Sequence, residues 1–139
     1  MQKIVIDTNV IVSSIIQKNY PYRIVYELFV NDKFLVCVSK ELMAEYYQVL
    51  SRPKFSRFPE FFKRAESLLA DIETKGKIFT PNTKIDLISD KDDNMILELA
   101  DKCLADFIIT GNKNDFTFPT FKKTKIVSPK EYWENYAPK

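Results

Sequence analysis

Lys3–Asn9 reads KIVIDTN, and these seven residues set the architecture. Ile4, Val5 and Ile6 form a short apolar run suited to a buried strand, and the run stops at Asp7-Thr8-Asn9, residues that end strands and cap helices. A strand-to-helix turn is expected there. Further out, Pro21–Val30 (PYRIVYELFV) carries apolar residues at helical spacing behind a proline suited to a first turn, and Phe34–Val38 (FLVCV) is a second continuous β-type run. Ser39 can cap a helix reaching about Leu50, closed by Pro53, and Pro59–Lys75 has the pattern of another amphipathic helix. Lys77–Phe79 is a weak strand candidate. Asp90-Lys91-Asp92-Asp93-Asn94 is an acidic turn before Met95, Ile96, Leu99, Ala100 and Cys103, which recur at helical spacing. Asp106–Thr110 (DFIIT) and Lys125–Val127 (KIV) supply the last strands, and Pro129 opens a short terminal helix holding Trp133. Short apolar strands alternating with helices predict an α/β fold, a mainly parallel central sheet flanked by helices on both faces, in one domain spanning 1–139.

Composition narrows the chemistry. The 139 residues are 45% hydrophobic and 14% aromatic, enough to fill one core. With no histidine, Ser-His-Asp and Cys-His catalysis and histidine-ligated metals are excluded. With only Gly76 and Gly111, phosphate-cradling G-x-x-x-x-G-K loops and dinucleotide turns are excluded as well. Cys37 and Cys103 lie in apolar surroundings and read as buried thiols in a reducing compartment, without zinc or a disulfide framework. No stretch approaches the roughly 18 apolar residues of a membrane span, so a soluble, cytoplasmic protein is expected. Any catalysis falls to carboxylates.

The acids cluster along one predicted edge. In open α/β sheets functional groups gather beyond the carboxyl ends of the strands. Asp7 follows the first strand, Glu45 lies in the helix after the second, Asp93 opens the helix before the fourth, and Asp115 follows the fourth in TGNKNDF (Thr110–Phe116). Each has an ordinary alternative: Asp7 or Asp93 as a helix cap, Glu45 as a solvated residue, Asp115 as an Asx-turn residue. Asp90-x-Asp92-x-Asn94 begins like a calcium loop, but Met95 stands where its glycine is required and Asp101 where its bidentate Glu is required. Net charge is only +2, yet Ser51–Lys63 (SRPKFSRFPEFFK) interleaves Arg52, Lys54, Arg57 and Lys63 with four phenylalanines. That segment is either a weak RNA contact or a solvated loop whose rings dock on the core.

With these residues in place the sequence resembles the PIN domain family, in particular the VapC-like ribonuclease toxins. The resemblance covers nearly the whole chain and rests on IVIDTNVIVS (Ile4–Ser13), SKELMAEYYQVLSRPKF (Ser39–Phe55), DKDDNMILELA (Asp90–Ala100) and FIITGNKNDF (Phe107–Phe116), four elements in order at matching spacings. It implies a three-layer α/β/α fold and metal-dependent hydrolysis of RNA, leaving 5′-phosphate and 3′-hydroxyl ends. Asp7, Glu45, Asp93 and Asp115 would be the catalytic, metal-holding acids, and the all-oxygen set suits Mg²⁺ or Mn²⁺. Thr8, Asn9, Thr110 and Asn112 would support them, with Arg52, Lys54 and Arg57 as weak substrate contacts. A cognate antitoxin and a homodimer are implied too. Asn112 departs from a similar branch that carries aspartate there, so the fourth ligand is the carboxylate of Asp115 or the neutral carbonyl of Asn112. Two alternatives stand beside this reading. An inactive PIN domain would serve as an RNA- or protein-binding module. A phosphoryl-transfer domain would use Asp7 as nucleophile, although Asn9 replaces the second aspartate that chemistry expects.

Overall fold

A computed structural model describes residues 1–88, 90–112, 116 and 118–138. The chain runs β1 (Lys3–Ile6), α1 (Thr8–Ile16), α2 (Tyr20–Arg23), β2 (Leu35–Val38), α3 (Lys40–Leu50), α4 (Phe61–Lys75), β3 (Lys77–Ile78), α5 (Lys91–Cys103), β4 (Phe107–Ile109), β5 (Thr120–Phe121), β6 (Thr124–Val127) and α6 (Pro129–Asn135). Six strands form one sheet in the order β3-β2-β1-β4-β6-β5, parallel throughout except that β5 runs antiparallel to β6. The α/β expectation holds, with helices covering both faces. Consecutive residues Ile4, Val5 and Ile6 of β1 are all at most 1% exposed, which requires cover on each side of the pleat. Ile108 and Ile109 of β4 are equally buried.

Most local expectations are met within a residue or two. Ser39 caps α3 by accepting from the Leu42 N–H at 3.0 Å. Ser128 and Glu131 close a reciprocal capping box on α6. The helix predicted over Pro21–Val30 starts at Tyr20 and continues from α2 as a π-helical stretch, Ile24–Phe29, in which the Val30 N–H reaches the Val25 carbonyl five residues back. α4 begins at Phe61 rather than Pro59 because Glu60 is left-handed, at φ 60°. Ahead of it, Pro53–Arg57 forms a short 3₁₀ turn. β5 was not anticipated: two residues carry no periodicity, and its pairing with β6 follows a turn at Lys122, where φ is 54°. Cys37 and Cys103 are buried and free of disulfide, and they are neighbours where α5 packs on β2. No helix among the described residues is long and apolar enough to cross a membrane.

Candidate carboxylate site

β1 is the strand from which the chain builds outward in both directions, toward β2 and β3 on one side and toward β4 and β6 on the other. Such a switch point opens a crevice at the carboxyl ends of the strands. Asp7 leaves β1 there and Thr110 leaves β4 beside it. The Asp7 N–H is still held by the Ile109 carbonyl at 2.9 Å, so the residue is the last one pinned by the sheet.

Asp7 is 8% exposed and is the N-cap of α1. Its Oδ1 accepts from the Thr8 N–H at 2.8 Å, and its Oδ2 accepts from the Thr110 hydroxyl at 2.7 Å. Thr110 is fully buried, and its oxygen also accepts from the Asn112 N–H at 3.0 Å. The capping reading is therefore correct for one oxygen, while the other is oriented by a different strand. Asn9 ties the two loops again, with its Oδ1 accepting from the Gly111 N–H at 3.3 Å.

Glu45 arrives from α3. The Tyr46 hydroxyl donates to the Ile6 carbonyl, which fixes α3 over the end of β1. Its neighbour Glu45 thereby meets the Thr8 hydroxyl, which donates to Glu45 Oε2. Burial pushes the Glu45 carboxyl above its ordinary range; the Thr8 bond opposes this, and the negative charges of Asp92 and Asp7 add to the rise. Tyr46 is driven well above the ordinary phenol range, first by its burial and then by Asp7 and Glu45.

On α5 the cap is Asp90, whose Oδ1 accepts from the Asp92 N–H at 2.8 Å. Asp93 is thus not the cap. It lies in the first turn, 8% exposed, where the N-terminal helix dipole favours a carboxylate. Asn94 straps the preceding loop to α5, its Oδ1 accepting from the Leu87 and Ile88 N–H groups and its Nδ2 donating to the Ile88 carbonyl. Sequence reasoning passed over Asp92, an exposed residue close enough to Glu45 to raise its carboxyl. Adjacent helical residues point about 100° apart, so Asp92 and Asp93 address different neighbours, and which of them faces Glu45 depends on where α5 starts.

The structure thus gathers Asp7, Thr8, Glu45, Thr110 and the Asn112 backbone, with Asn9 buttressing the loop. Asp115 lies outside the described residues. Among the described residues, no three ligating side chains close on one point as a preformed metal cage. Arg52, Lys54 and Arg57 are exposed and lie on or beside the 3₁₀ turn beyond α3. Phe55 is 7% exposed and stacks on Phe61 with ring centroids 4.5 Å apart; Lys54 and Arg57 lie over the rings of Phe55 and Phe58.

Residues 3–114 match the PIN domain family. The chain is 28% identical over 142 residues to an uncharacterized protein of Methanocaldococcus jannaschii, an alignment that covers 96% of this chain and 91% of that one. Its fold is similar to a chain in the crystal structure of VapBC2 from Rickettsia felis bound to a DNA fragment from their promoter. The TM-score is 0.60 at 18% identity, over 91% of this chain and 98% of that one.

Proposed function

We propose that this chain, which belongs to the PIN domain family, is a Mg²⁺- or Mn²⁺-dependent endoribonuclease that hydrolyses RNA phosphodiester bonds as the toxin of a toxin–antitoxin pair. The observation that carries the reading is the placement of Asp7, held by its own helix through one oxygen and by Thr110, the residue after β4, through the other. A residue needed only as a cap requires the first bond alone. The donor set fits a hard divalent ion, because every candidate side chain offers oxygen. The electrostatics fit as well: burial first, and then the charges of Asp92 and Asp7, raise Glu45, and a cation between such anions relieves their repulsion.

Asp7 and Asp93 are the principal ligands in this proposal, with Glu45 and Asp115 holding waters or a second ion. A divalent ion bound there supplies charge neutralisation at the phosphate and acidifies a water. Thr8 and Asn9 fix the Asp7 turn, and Thr110 with Asn112 orients the loop facing the phosphate. Arg52, Lys54 and Arg57 add weak phosphate attraction. The likeness to a VapBC2 chain supports an antitoxin partner, and the family resemblance supports a homodimer in the cytoplasm. Asn112 supports a second reading, an inactive domain that binds RNA or protein, and metal affinity separates the two. The test is a defined RNA panel incubated with Mg²⁺, with Mn²⁺ and with excess EDTA. Single-stranded or loop RNA is cut only when metal is present; unchanged cleavage in EDTA removes the reading.

A further inference from the structure

Beside the Asp7 turn, and sharing Asn9 and Asn112 with it, lies a cleft of about 200 Å³. Asn9, Val10 and Ser13 of α1, Asn112 of the loop after β4, Pro21 of α2 and Pro129 of α6 line it. Among the described residues, no charged side chain lines it. That composition is unsuited to a phosphate or a metal ion. A flat, neutral ligand fits better, because the proline rings offer rigid apolar surfaces while Asn9, Ser13 and Asn112 offer polar groups. Asn9 Oδ1 is engaged by the Gly111 N–H, which leaves the amide NH₂ of Asn9 as a donor. The volume falls below the roughly 300–1,000 Å³ of a pocket for a whole drug-sized ligand, so it admits one heterocycle and not a base pair.

We propose that this cleft seats one unpaired base of the RNA strand, the base adjoining the scissile phosphate, and that Asn9, Ser13 and Asn112 read its edge. Unpaired bases can be splayed from the strand and recognised in this way, whereas a paired base presents neither its face nor its Watson–Crick edge. The cleft is also coupled to the chemistry. The Asn112 N–H bonds to Thr110, whose hydroxyl bonds to Asp7, so a base against Asn112 lies two hydrogen bonds from the carboxylate. The proposal rests on the ribonuclease reading for its consequence in cleavage, though not for the binding itself.

Ser13 is the residue to alter, because it is half-buried on α1 and stands outside the carboxylate set. Ser13→Phe fills the cleft, and Ser13→Leu fills it less, for use if the phenylalanine variant fails to fold. Two measurements are made on the full chain. In the first, each of the four ribonucleoside 5′-monophosphates is titrated while the amide resonances of Ser13, Gly111 and Asn112 are followed. At least one nucleotide shifts them saturably in wild type, and the shift is lost in the variant. In the second, oligonucleotides differing only in the bases flanking the cut are compared. Wild type shows a preference of about tenfold at one flanking position, and the folded variant loses it with a KM raised about tenfold, while Mn²⁺ affinity stays within twofold. Nucleotides that leave these amides unmoved, or that bind the folded variant as well as wild type, overturn the proposal. If wild type cuts no RNA, the ribonuclease reading fails separately and the titration still decides the cleft.

Discussion

Two regions of this molecule look alike in their promise and differ in what folding makes of them. Ser51–Lys63 gathers cations and phenylalanines within thirteen consecutive residues, and folding disperses them: Phe55 and Phe61 stack in the core while Arg52, Lys54 and Arg57 face solvent. Asp7, Glu45 and Thr110 are scattered over more than a hundred positions, and folding joins them through Thr8 and two strand ends. Functional density in sequence is therefore a poor guide to functional density in space. A cation next to a phenylalanine is explained by the ring's burial, with the charge left over at the surface. A carboxylate held by hydroxyls from other elements has no such explanation in packing.

The contrast can be broken most forcefully at Phe55. Phe55→Ala removes a buried ring and costs about 3–5 kcal/mol of folding stability. Arg57→Ala, two residues on, shifts it by less than about 0.5 kcal/mol. Urea melts of the two variants check this, and equal losses contradict the division of labour within the segment.

Thr110→Val tests the other region. It deletes the donor to Asp7 Oδ2 and the acceptor for the Asn112 N–H while keeping the shape of the side chain. A lost orienting contact of this kind lowers metal affinity and activity by about 10–100-fold. Calorimetric Mn²⁺ titration beside cleavage rates measures it, and an unchanged affinity shows that Thr110 merely fills space. A smaller effect is expected at the pair that sets the fourth ligand: Asn112→Asp leaves cleavage intact or raises it, and Asp115→Asn lowers it. A silent Asp115→Asn with an inactive Asn112→Ala reverses that assignment. The smallest effect belongs to the triple variant Arg52→Ala, Lys54→Ala, Arg57→Ala, which weakens RNA binding by about threefold or less at physiological salt, as exposed charges do. A loss of a hundredfold makes the segment a true RNA-binding surface.

Much of the fold was legible because its strands are short apolar runs bounded by caps. KIVI lies in the sheet, as do most of FLVCV and DFIIT, and Ser39 caps the helix that follows the second strand. What escaped was governed by distant partners. β5 is two residues long and exists through β6, and the approach of Cys37 to Cys103 depends on how α5 packs on β2. At the site, placement along the carboxyl edge of the sheet marked Asp7, Glu45, Asp93 and the loop beginning at Thr110, and the family resemblance pointed to the same acids. Neither could reveal that Thr8 is the link between Asp7 and Glu45, because a threonine at the start of a helix reads as part of the cap. Asp90 is the cap that Asp93 was weighed for, and Asp92 joins Glu45 through the phase of α5, which only the exact helix start determines.

The central claim is that Asp7 is held for metal rather than for capping, and Asp7→Asn separates the two because asparagine caps a helix about as well while lacking the charge. Melting temperatures of wild type and variant are compared in EDTA and in millimolar Mn²⁺. The account predicts that without metal the variant is as stable as wild type or more so, since repulsion with Glu45 is relieved. It also predicts that Mn²⁺ stabilises wild type alone, by about 2.7 kcal/mol if the ion stands at a hundred times its dissociation constant. Equal Mn²⁺-induced shifts in both proteins, with cleavage retained in the variant, would contradict it.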